Sequence, residues 1–232
     1  MAYDPAYAYE VAVIVKEGIR RMFIEQEDLM YYITVLNEKY PMPEMPEGVE
    51  EGILRGMYKY KASSKDKGEK VNLMGSGAIL NEALKAAEIL EEKYDVKADV
   101  WSITSYKALY DDARETERRN RLNPDQEPKK TYIEQCFDGD EGQCIAAHDY
   151  VKAIPMTVCR WFPGILTVLG TDGFGRSDNR EALRDLFEVN HKHIAYATLH
   201  SLMLNGKMEK KTIQKAFKDL EINSEKENPT DA

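Results

Sequence analysis

The sequence predicts an α/β domain with a mostly parallel sheet of about five strands and helices on both faces. From Lys70 onward, short apolar runs alternate with longer amphipathic segments, a pattern typical of parallel strands joined by helical crossovers. Of the 232 residues, 43% are hydrophobic and 31% are charged, which allows a sizeable core and a well-solvated surface. A glycine-rich corner at residues 169–178, between an apolar run and a helical segment, fits the same architecture.

The net charge and the cysteine pattern limit the classes of partner. The formal net charge of -9 argues against a nucleic-acid partner, because such proteins need clustered Lys and Arg. No apolar run approaches the ~20 residues that span a bilayer, and no secretory signal is visible at the start, so we expect no membrane partner. Three cysteines without close paired spacing suit a reducing cytosol, and we expect a cytoplasmic protein.

The elements predicted at the start of the chain are too few to form a sheet domain by themselves. Asp4 and Pro5 favour a helix start, because a capping side chain is followed by proline in the first turn. The helix predicted over 6–23 is apolar on more than one side, and a run of β-formers follows at 31–36. A lone helix and strand cannot form a sheet domain, so we infer that this chain is the back end of a larger protein.

Breaks in regular structure place the main boundary of the chain between Asn37 and Gly68. Three prolines and a glycine between residues 41 and 48 interrupt regular structure, and a polar loop ends at Gly68. Residues 50–60 fit either a short helix or the entry to a strand. The chain is thereby divided into residues 1–37, a linker at 38–69 and a domain at 70–232.

Strands and helices alternate beyond this boundary. Apolar runs predict strands at 71–74, 99–104, 143–147 and 165–168. Helical spacing of apolar residues predicts helices at 79–94, 106–120, 151–162, 179–187, 190–205 and 208–220. The stretch 122–130 contains two prolines and is expected to be a loop.

Single residues predict two details of these helices. Pro155 must lie in the first turn of the helix at 151–162 or break it, because proline lacks an N–H and clashes with the preceding turn. Asp178 is expected to cap the helix after the glycine corner, with Glu181 reaching back to complete a capping box.

Two glycine corners are candidate anion sites. Gly75-Ser76-Gly77 lies between a strand and a helix, where free backbone N–H groups can meet a phosphate. The dinucleotide fingerprint would need glycine at position 80, where Leu80 stands, and the Gly-Lys-Ser/Thr end of a P-loop is missing. The pattern therefore favours a structural turn, with an anion site as the alternative.

The second corner offers the candidates Gly173, Gly175, Arg176 and Ser177. It lacks the same fingerprint, although Arg176 could assist an anion. A tight structural corner is again the favoured interpretation, because glycine is common where backbones approach closely.

The histidines and cysteines do not predict a metal or catalytic site. His191 and His193 point to different faces of a predicted helix, and His193 and His200 lie about 10 Å apart along it. His148 is isolated by sequence, and Cys144 within a predicted strand is expected to be a buried thiol. We therefore assign no catalytic, cofactor-binding or metal residue from the sequence.

Several segments together resemble one family, the homodimeric bacterial pyruvate dehydrogenase, which is the thiamine-diphosphate-dependent first component of the pyruvate dehydrogenase complex. The matching segments are Tyr3–Ile14, Tyr31–Thr34, Leu36–Glu38, Met45–Gly48, Gly75–Gly77 and Leu169–Asp178. The resemblance implies a transketolase-like C-terminal domain at 70–232, preceded by a remnant of a second α/β domain. Residues 1–37 would be the end of the middle, pyrimidine-binding domain.

The resemblance also implies where the chemistry lies. In that family the thiamine diphosphate and magnesium ligands and the catalytic residues lie upstream of the matched segments. The chain would be a C-terminal fragment that is inactive alone and serves as scaffold and dimer contact. The full-length parent would be a homodimer that decarboxylates pyruvate and transfers the acetyl group to a lipoyl-bearing acetyltransferase.

Two further hypotheses follow from the residues themselves. The chain could be a stand-alone anion- or nucleotide-binding module that uses Gly75–Gly77 or Gly173–Ser177. Alternatively, it could be an interaction domain whose surface is the Tyr-rich first helix, since large exposed apolar patches mark interfaces.

Overall fold

Two short parallel strands and a helix open the chain in the computed structural model, which describes residues 1–231. Strand β1 (Ala2–Tyr3) pairs in parallel with β2 (Tyr32–Ile33), and helix α1 (Ala8–Ile19) lies between them in sequence. A π-helical turn, Arg20–Ile24, continues α1. The predicted helix at 6–23 thus changes its hydrogen bonding at Arg20, and the predicted strand at 31–36 is regular over two residues only.

The larger sheet has five strands. They are β3 (Met57–Lys61), β4 (Glu69–Gly75), β5 (Val96–Ile103), β6 (Gln143–Ala147) and β7 (Thr167–Leu169), in the spatial order β3-β5-β4-β6-β7. The pair β3–β5 is antiparallel, and the other three pairs are parallel. The predicted α/β class with a mostly parallel sheet is confirmed.

Strand β3 and one short helix fall within residues 38–69, where the sequence predicts a linker. Helix α2 (Glu50–Arg55) ends at Gly56, which has φ of 108° and leads directly into β3. Strand β3 then closes the edge of the sheet against β5. Residues 50–60 therefore hold both of the alternatives that their ambiguous pattern allowed, a helix followed by a strand.

Seven more helices follow α2. They are α3 (Ile79–Tyr94), α4 (Tyr106–Leu122), α5 (Tyr132–Cys136), α6 (Ala153–Met156), α7 (Arg180–Leu186), α8 (His191–Leu204) and α9 (Lys210–Asp219). None of the helices within residues 1–231 is long and apolar enough to cross a membrane.

Alternate residues of the central strands point to opposite faces of the sheet, and this creates two cores. On one face, Leu73 and Ile145 pack with buried residues of α3, α8 and α9. On the other face, Met74 and Ala146 pack with residues of α4 and α5 and with Trp101. Because β4 and β6 are covered on both faces, they appear in the sequence as continuous apolar runs.

Two predicted details differ from the structure. The helix expected at 151–162 is replaced by α6 and a separate 3-10 turn, Cys159–Trp161, and Pro155 lies in the first turn of α6, which is one of its two predicted positions. The cap of α7 is Asn179, whose side chain accepts a hydrogen bond from the Ala182 N–H at 2.9 Å. The expected Asp178 cap is wrong, because the Asp178 carboxylate instead accepts from the Asn179 N–H.

Candidate functional site

The carboxyl ends of β4, β6 and β7 meet at one edge of the larger sheet. Strand β5, which follows β4 in the chain, lies on one side of β4, and the later strand β6 lies on its other side, so the strand order reverses at β4. Ligands of open parallel sheets bind in the crevice outside such a reversal. The loops at 75–77, 148–150 and 170–176 border this crevice, and the N-terminal segment lies across it.

The first glycine corner is the contact point for the N-terminal segment. The Gly77 N–H donates to the Asp4 carbonyl oxygen at 3.1 Å, and the Ile79 N–H donates to the Ser76 carbonyl at 3.2 Å. A Cβ at Gly75 would lie 2.5 Å from the Leu80 Cα, which explains why glycine is required there. The geometry at this corner thus favours close packing, and the N–H of Gly77 already has an acceptor.

His148 lies beside this corner and is buried. Its Nδ1 accepts a hydrogen bond from the Tyr150 N–H at 2.8 Å, so the neutral ring has its proton on Nε2. That Nε2 lies 3.8 Å from Oδ2 of Asp4, whose Oδ1 accepts from the Thr34 hydroxyl at 2.7 Å. Within residues 1–231, neither His148 Nε2 nor the buried Ser76 hydroxyl has a hydrogen-bond partner.

These groups surround a cleft of about 190 Å³ between the N-terminal segment and the sheet. Asp4 and Thr34 line it from one side, and Ser76 and His148 line it from the other. The described residues contain no group of three or more His, Cys, Asp or Glu arranged to hold a metal ion.

A second cleft, of about 280 Å³, lies beside the first and shares Leu36 and Asp149 with it. Its walls bring together three of the residues predicted as anion candidates, which are Gly173, Gly175 and Arg176. The fourth candidate, Ser177, is not part of these walls.

Sequence reasoning missed two further arginines of this second cleft. Arg180 and Arg184 are four residues apart at the start and near the end of α7, so they share one face. This spacing is visible in the sequence, but the cleft opposite that face is formed by residues distant along the chain.

Arg184 is held by an acidic residue from the region between the two sheets. Its guanidinium donates two hydrogen bonds to the Glu38 carboxylate, at 3.0 and 2.5 Å. Burial lowers the pKa of Arg184, but the Glu38 carboxylate opposes this and raises it overall. Burial raises the pKa of the neighbouring Asp149, against the opposing effects of Arg184 and His148.

A buried carboxylate, Glu82 of α3, links this region to α8. It accepts hydrogen bonds from the His191 N–H at 2.9 Å and from Lys85 Nζ at 2.8 Å, and it lies 2.7 Å from His191 Nδ1. Burial by itself would raise the pKa of Glu82, but the bonds from His191 and Lys85 lower it to about 2. His191 therefore has a structural partner in α3.

The structure also gives structural environments to two other residues considered from the sequence, His193 and Cys144. His193 Nδ1 lies 2.9 Å from the side-chain oxygen of Asn190, the cap of α8. Cys144 is buried in the second core, where burial raises the pKa of its thiol. A thiol in such surroundings stays protonated and unreactive.

Comparisons with known proteins divide the chain at the same place as the two sheets. The transketolase-like C-terminal domain family matches residues 56–190, and the pyruvate dehydrogenase E1 component middle domain matches residues 1–43. Pyruvate dehydrogenase E1 components of Pseudomonas aeruginosa and Escherichia coli are each 46% identical over 99% of this chain. The chain spans 26% of the length of each of these relatives.

Solved structures show the same fold at lower identity. A transketolase from Leishmania mexicana matches 88% of this chain with a TM-score of 0.58 and 15% identity, over 25% of its own length. A split-gene transketolase, described as an inactive beta4 tetramer, matches 88% with a TM-score of 0.54 and 17% identity, over 58% of its length. At these identities the likeness concerns the fold alone.

Proposed function

The chain belongs to the transketolase-like C-terminal domain family, and from this premise we propose that it is the C-terminal part of a pyruvate dehydrogenase E1 component. The 46% identity with the Pseudomonas aeruginosa and Escherichia coli relatives, over 99% of the chain, supports this proposal. The whole protein would decarboxylate pyruvate oxidatively and transfer the acetyl group to a lipoyl-bearing acetyltransferase, as a homodimer in the cytoplasm. Residues 1–37 would end its middle, pyrimidine-binding domain.

Thiamine diphosphate and magnesium would belong to that whole protein. A magnesium diphosphate needs oxygen ligands that converge on one ion. Asp4 and Asp149, the carboxylates that line the first cleft, flank His148, and Asp4 Oδ2 lies 3.8 Å from its Nε2. We propose that the ligands of the cofactor lie on polypeptide that precedes the matched segments in that family.

The observation that supports the proposal most strongly is the incomplete sheet of the N-terminal segment. Strands β1 and β2 form a two-stranded parallel sheet, whereas parallel sheets normally have several strands and are covered on both faces. Large apolar side chains in the same segment are solvent-exposed, notably Phe23 at 80%, Met30 at 77% and Val35 at 74%. Additional strands and helices of a middle domain would cover this surface.

The role proposed for this chain is to support that middle domain. Its N-terminal segment is joined to the larger sheet by the buried Glu10 and by a cluster of tyrosines in which Tyr7 packs against Tyr40 and Tyr60. Such a joint fixes the position of the middle domain relative to the larger sheet. The chain itself would supply scaffold and dimer contacts.

A graft tests the proposal. This chain replaces the matching region of the Escherichia coli relative, and pyruvate-dependent reduction of an electron acceptor is measured with thiamine diphosphate and magnesium. We expect activity in the graft and none in the isolated chain. A folded, dimeric graft that binds the cofactor but does not turn over pyruvate would contradict the proposal.

A matched pair of variants keeps the graft experiment specific. Phe23→Asp in the graft should abolish activity, because a charge would be placed in the proposed contact with the rest of the middle domain. Leu204→Asp, at an apolar residue of α8 that is 71% exposed and lies outside that segment, should leave activity unchanged.

A further inference from the structure

The second cleft is lined by both cationic and apolar residues. Arg176, Arg180 and Arg184 supply the cations, and Leu183, Phe187 and Val189 supply apolar surface. Small-molecule sites in proteins have this composition, with an apolar lining and a few converging polar groups. The volume of about 280 Å³ lies just below the range of roughly 300–1,000 Å³ for such sites, so the ligand must be small.

The lining of the cleft holds three arginines and the carboxylate of Asp149. Outside the lining, Glu38 forms two hydrogen bonds with Arg184 and lies 3.6 Å from Arg180. Glu82 lies 3.8 Å from Arg184, and Arg180 also donates a hydrogen bond to the side-chain oxygen of Asn37. Arg176 is exposed and has no ion-pair partner within residues 1–231. Burial raises the pKa of Asp149, against the opposing effect of Arg184.

The cleft also lies where a parallel sheet places its ligands. Asp149 and Thr171 follow the carboxyl ends of β6 and β7, next to the reversal of strand order. The Thr171 hydroxyl donates to the Asp149 carbonyl at 2.6 Å, and the Thr171 N–H donates to the Tyr150 carbonyl at 2.9 Å. These bonds hold the two loops together, so one wall of the cleft is fixed before a ligand arrives.

We propose that this cleft binds a small molecule that carries a phosphate or carboxylate group on a compact apolar body, with Arg176 and Arg180 holding the oxyanion. Arginine suits this role because its planar guanidinium binds two oxygens of such a group at once. Leu183 and Phe187 would contact the apolar body. The proposed function as part of a pyruvate dehydrogenase does not require this ligand.

Four probes separate the contributions of the oxyanion and of the apolar body to binding. Inorganic phosphate tests the anion alone, phenyl phosphate and benzoate add an aromatic body to each kind of oxyanion, and benzyl alcohol tests the apolar body alone. Binding to the full chain is measured by calorimetry and by the shift in melting temperature. We expect phenyl phosphate or benzoate to bind more tightly than phosphate or benzyl alcohol, and the better of the two identifies the oxyanion.

Arginine variants locate the site. Arg176→Ala and Arg180→Ala should each weaken the binding of the best probe by about tenfold or more, because each removes a charge-assisted hydrogen bond. Arg118→Ala, at an exposed arginine of α4, should leave binding unchanged. Circular dichroism of each variant checks that the fold is intact.

Two results would overturn the proposal. One is binding of the best probe that is equally strong in the Arg176→Ala and Arg180→Ala variants. The other is the absence of a saturable response to phenyl phosphate and to benzoate at millimolar concentration. Either result leaves the pyruvate dehydrogenase proposal intact, because the graft experiment does not depend on this cleft.

Discussion

The carboxylate of Glu10 accepts a hydrogen bond from the Ser102 hydroxyl at 2.7 Å, although the two residues are 92 positions apart. The same oxygen accepts from the Tyr58 hydroxyl at 2.7 Å, and the other carboxylate oxygen accepts from the Tyr7 N–H at 3.1 Å. Glu10 is fully buried. One side chain of α1 therefore joins the N-terminal segment to two strands of the larger sheet.

Removing this carboxylate should destabilise the chain strongly. Glu10→Ala would leave the hydroxyls of Ser102 and Tyr58 buried without their acceptor, and we expect a loss of about 3–5 kcal/mol in the free energy of unfolding. Urea denaturation followed by tryptophan fluorescence measures this loss. Glu88→Ala, at an exposed position of α3, is the control and should change stability by less than about 0.5 kcal/mol. Equal losses of stability in the two variants would contradict the conclusion that Glu10 joins the N-terminal segment to the larger sheet.

Stability should depend on pH through Glu82. Its pKa is lowered from 4.5 to about 2, so the carboxylate stabilises the fold fully above pH 4.5 and loses this effect as the pH falls towards 2. Wild-type protein should exceed Glu82→Gln in stability at pH 7, and the difference should shrink by roughly 2–3 kcal/mol between pH 5 and 2. Urea titrations across this range measure the difference. A stability difference between wild type and Glu82→Gln that stays constant with pH would refute the prediction.

The first glycine corner should not tolerate a methyl group. Gly75→Ala would place a Cβ 2.5 Å from the Leu80 Cα, which is backbone of α3 and cannot rotate away, so we expect a loss of about 2 kcal/mol or more. Gly175→Ala is the control, because its Cβ would meet no atom within 4 Å, and it should change stability by less than about 0.5 kcal/mol. Thermal and urea unfolding of both variants provide the comparison. If Gly75→Ala is as stable as the wild type, the corner has space for a methyl group and the prediction is wrong.

The exposed apolar surface of the N-terminal segment should cause the isolated chain to associate. Phe23 and Ile24 of the π-helical turn are 80% and 69% exposed, and such surface is unfavourable in water. Sedimentation should show a mass that rises with protein concentration. The double variant Phe23→Ser with Ile24→Ser should lower this mass, whereas Leu204→Ser, at 71% exposure on α8, should not. A wild-type chain that remains monomeric at high concentration would argue against an uncovered interface.

Local patterns in the sequence predicted most of the larger sheet and the helices around it. The helix expected at 79–94 agrees with α3 at both ends, because its apolar residues recur with helical spacing and all face one core. Strand β3 was harder to predict, since it lies at an edge and directly follows the short helix α2. The cap of α7 was misassigned by one residue, because Asp178 and Asn179 have equal capping propensity and only the backbone geometry distinguishes them.

The sequence by itself determined the α/β class, the order of the elements and the family resemblance, because hydrophobic periodicity and turn residues act over a few positions. Only the tertiary structure decided that Asp4 lies against Gly77, that Glu10 reaches Ser102, and that three arginines share a cleft with Leu36 and Asp149. These contacts join residues that are far apart in the chain. They depend on strand order and on how the loops pack, which no short stretch of sequence specifies.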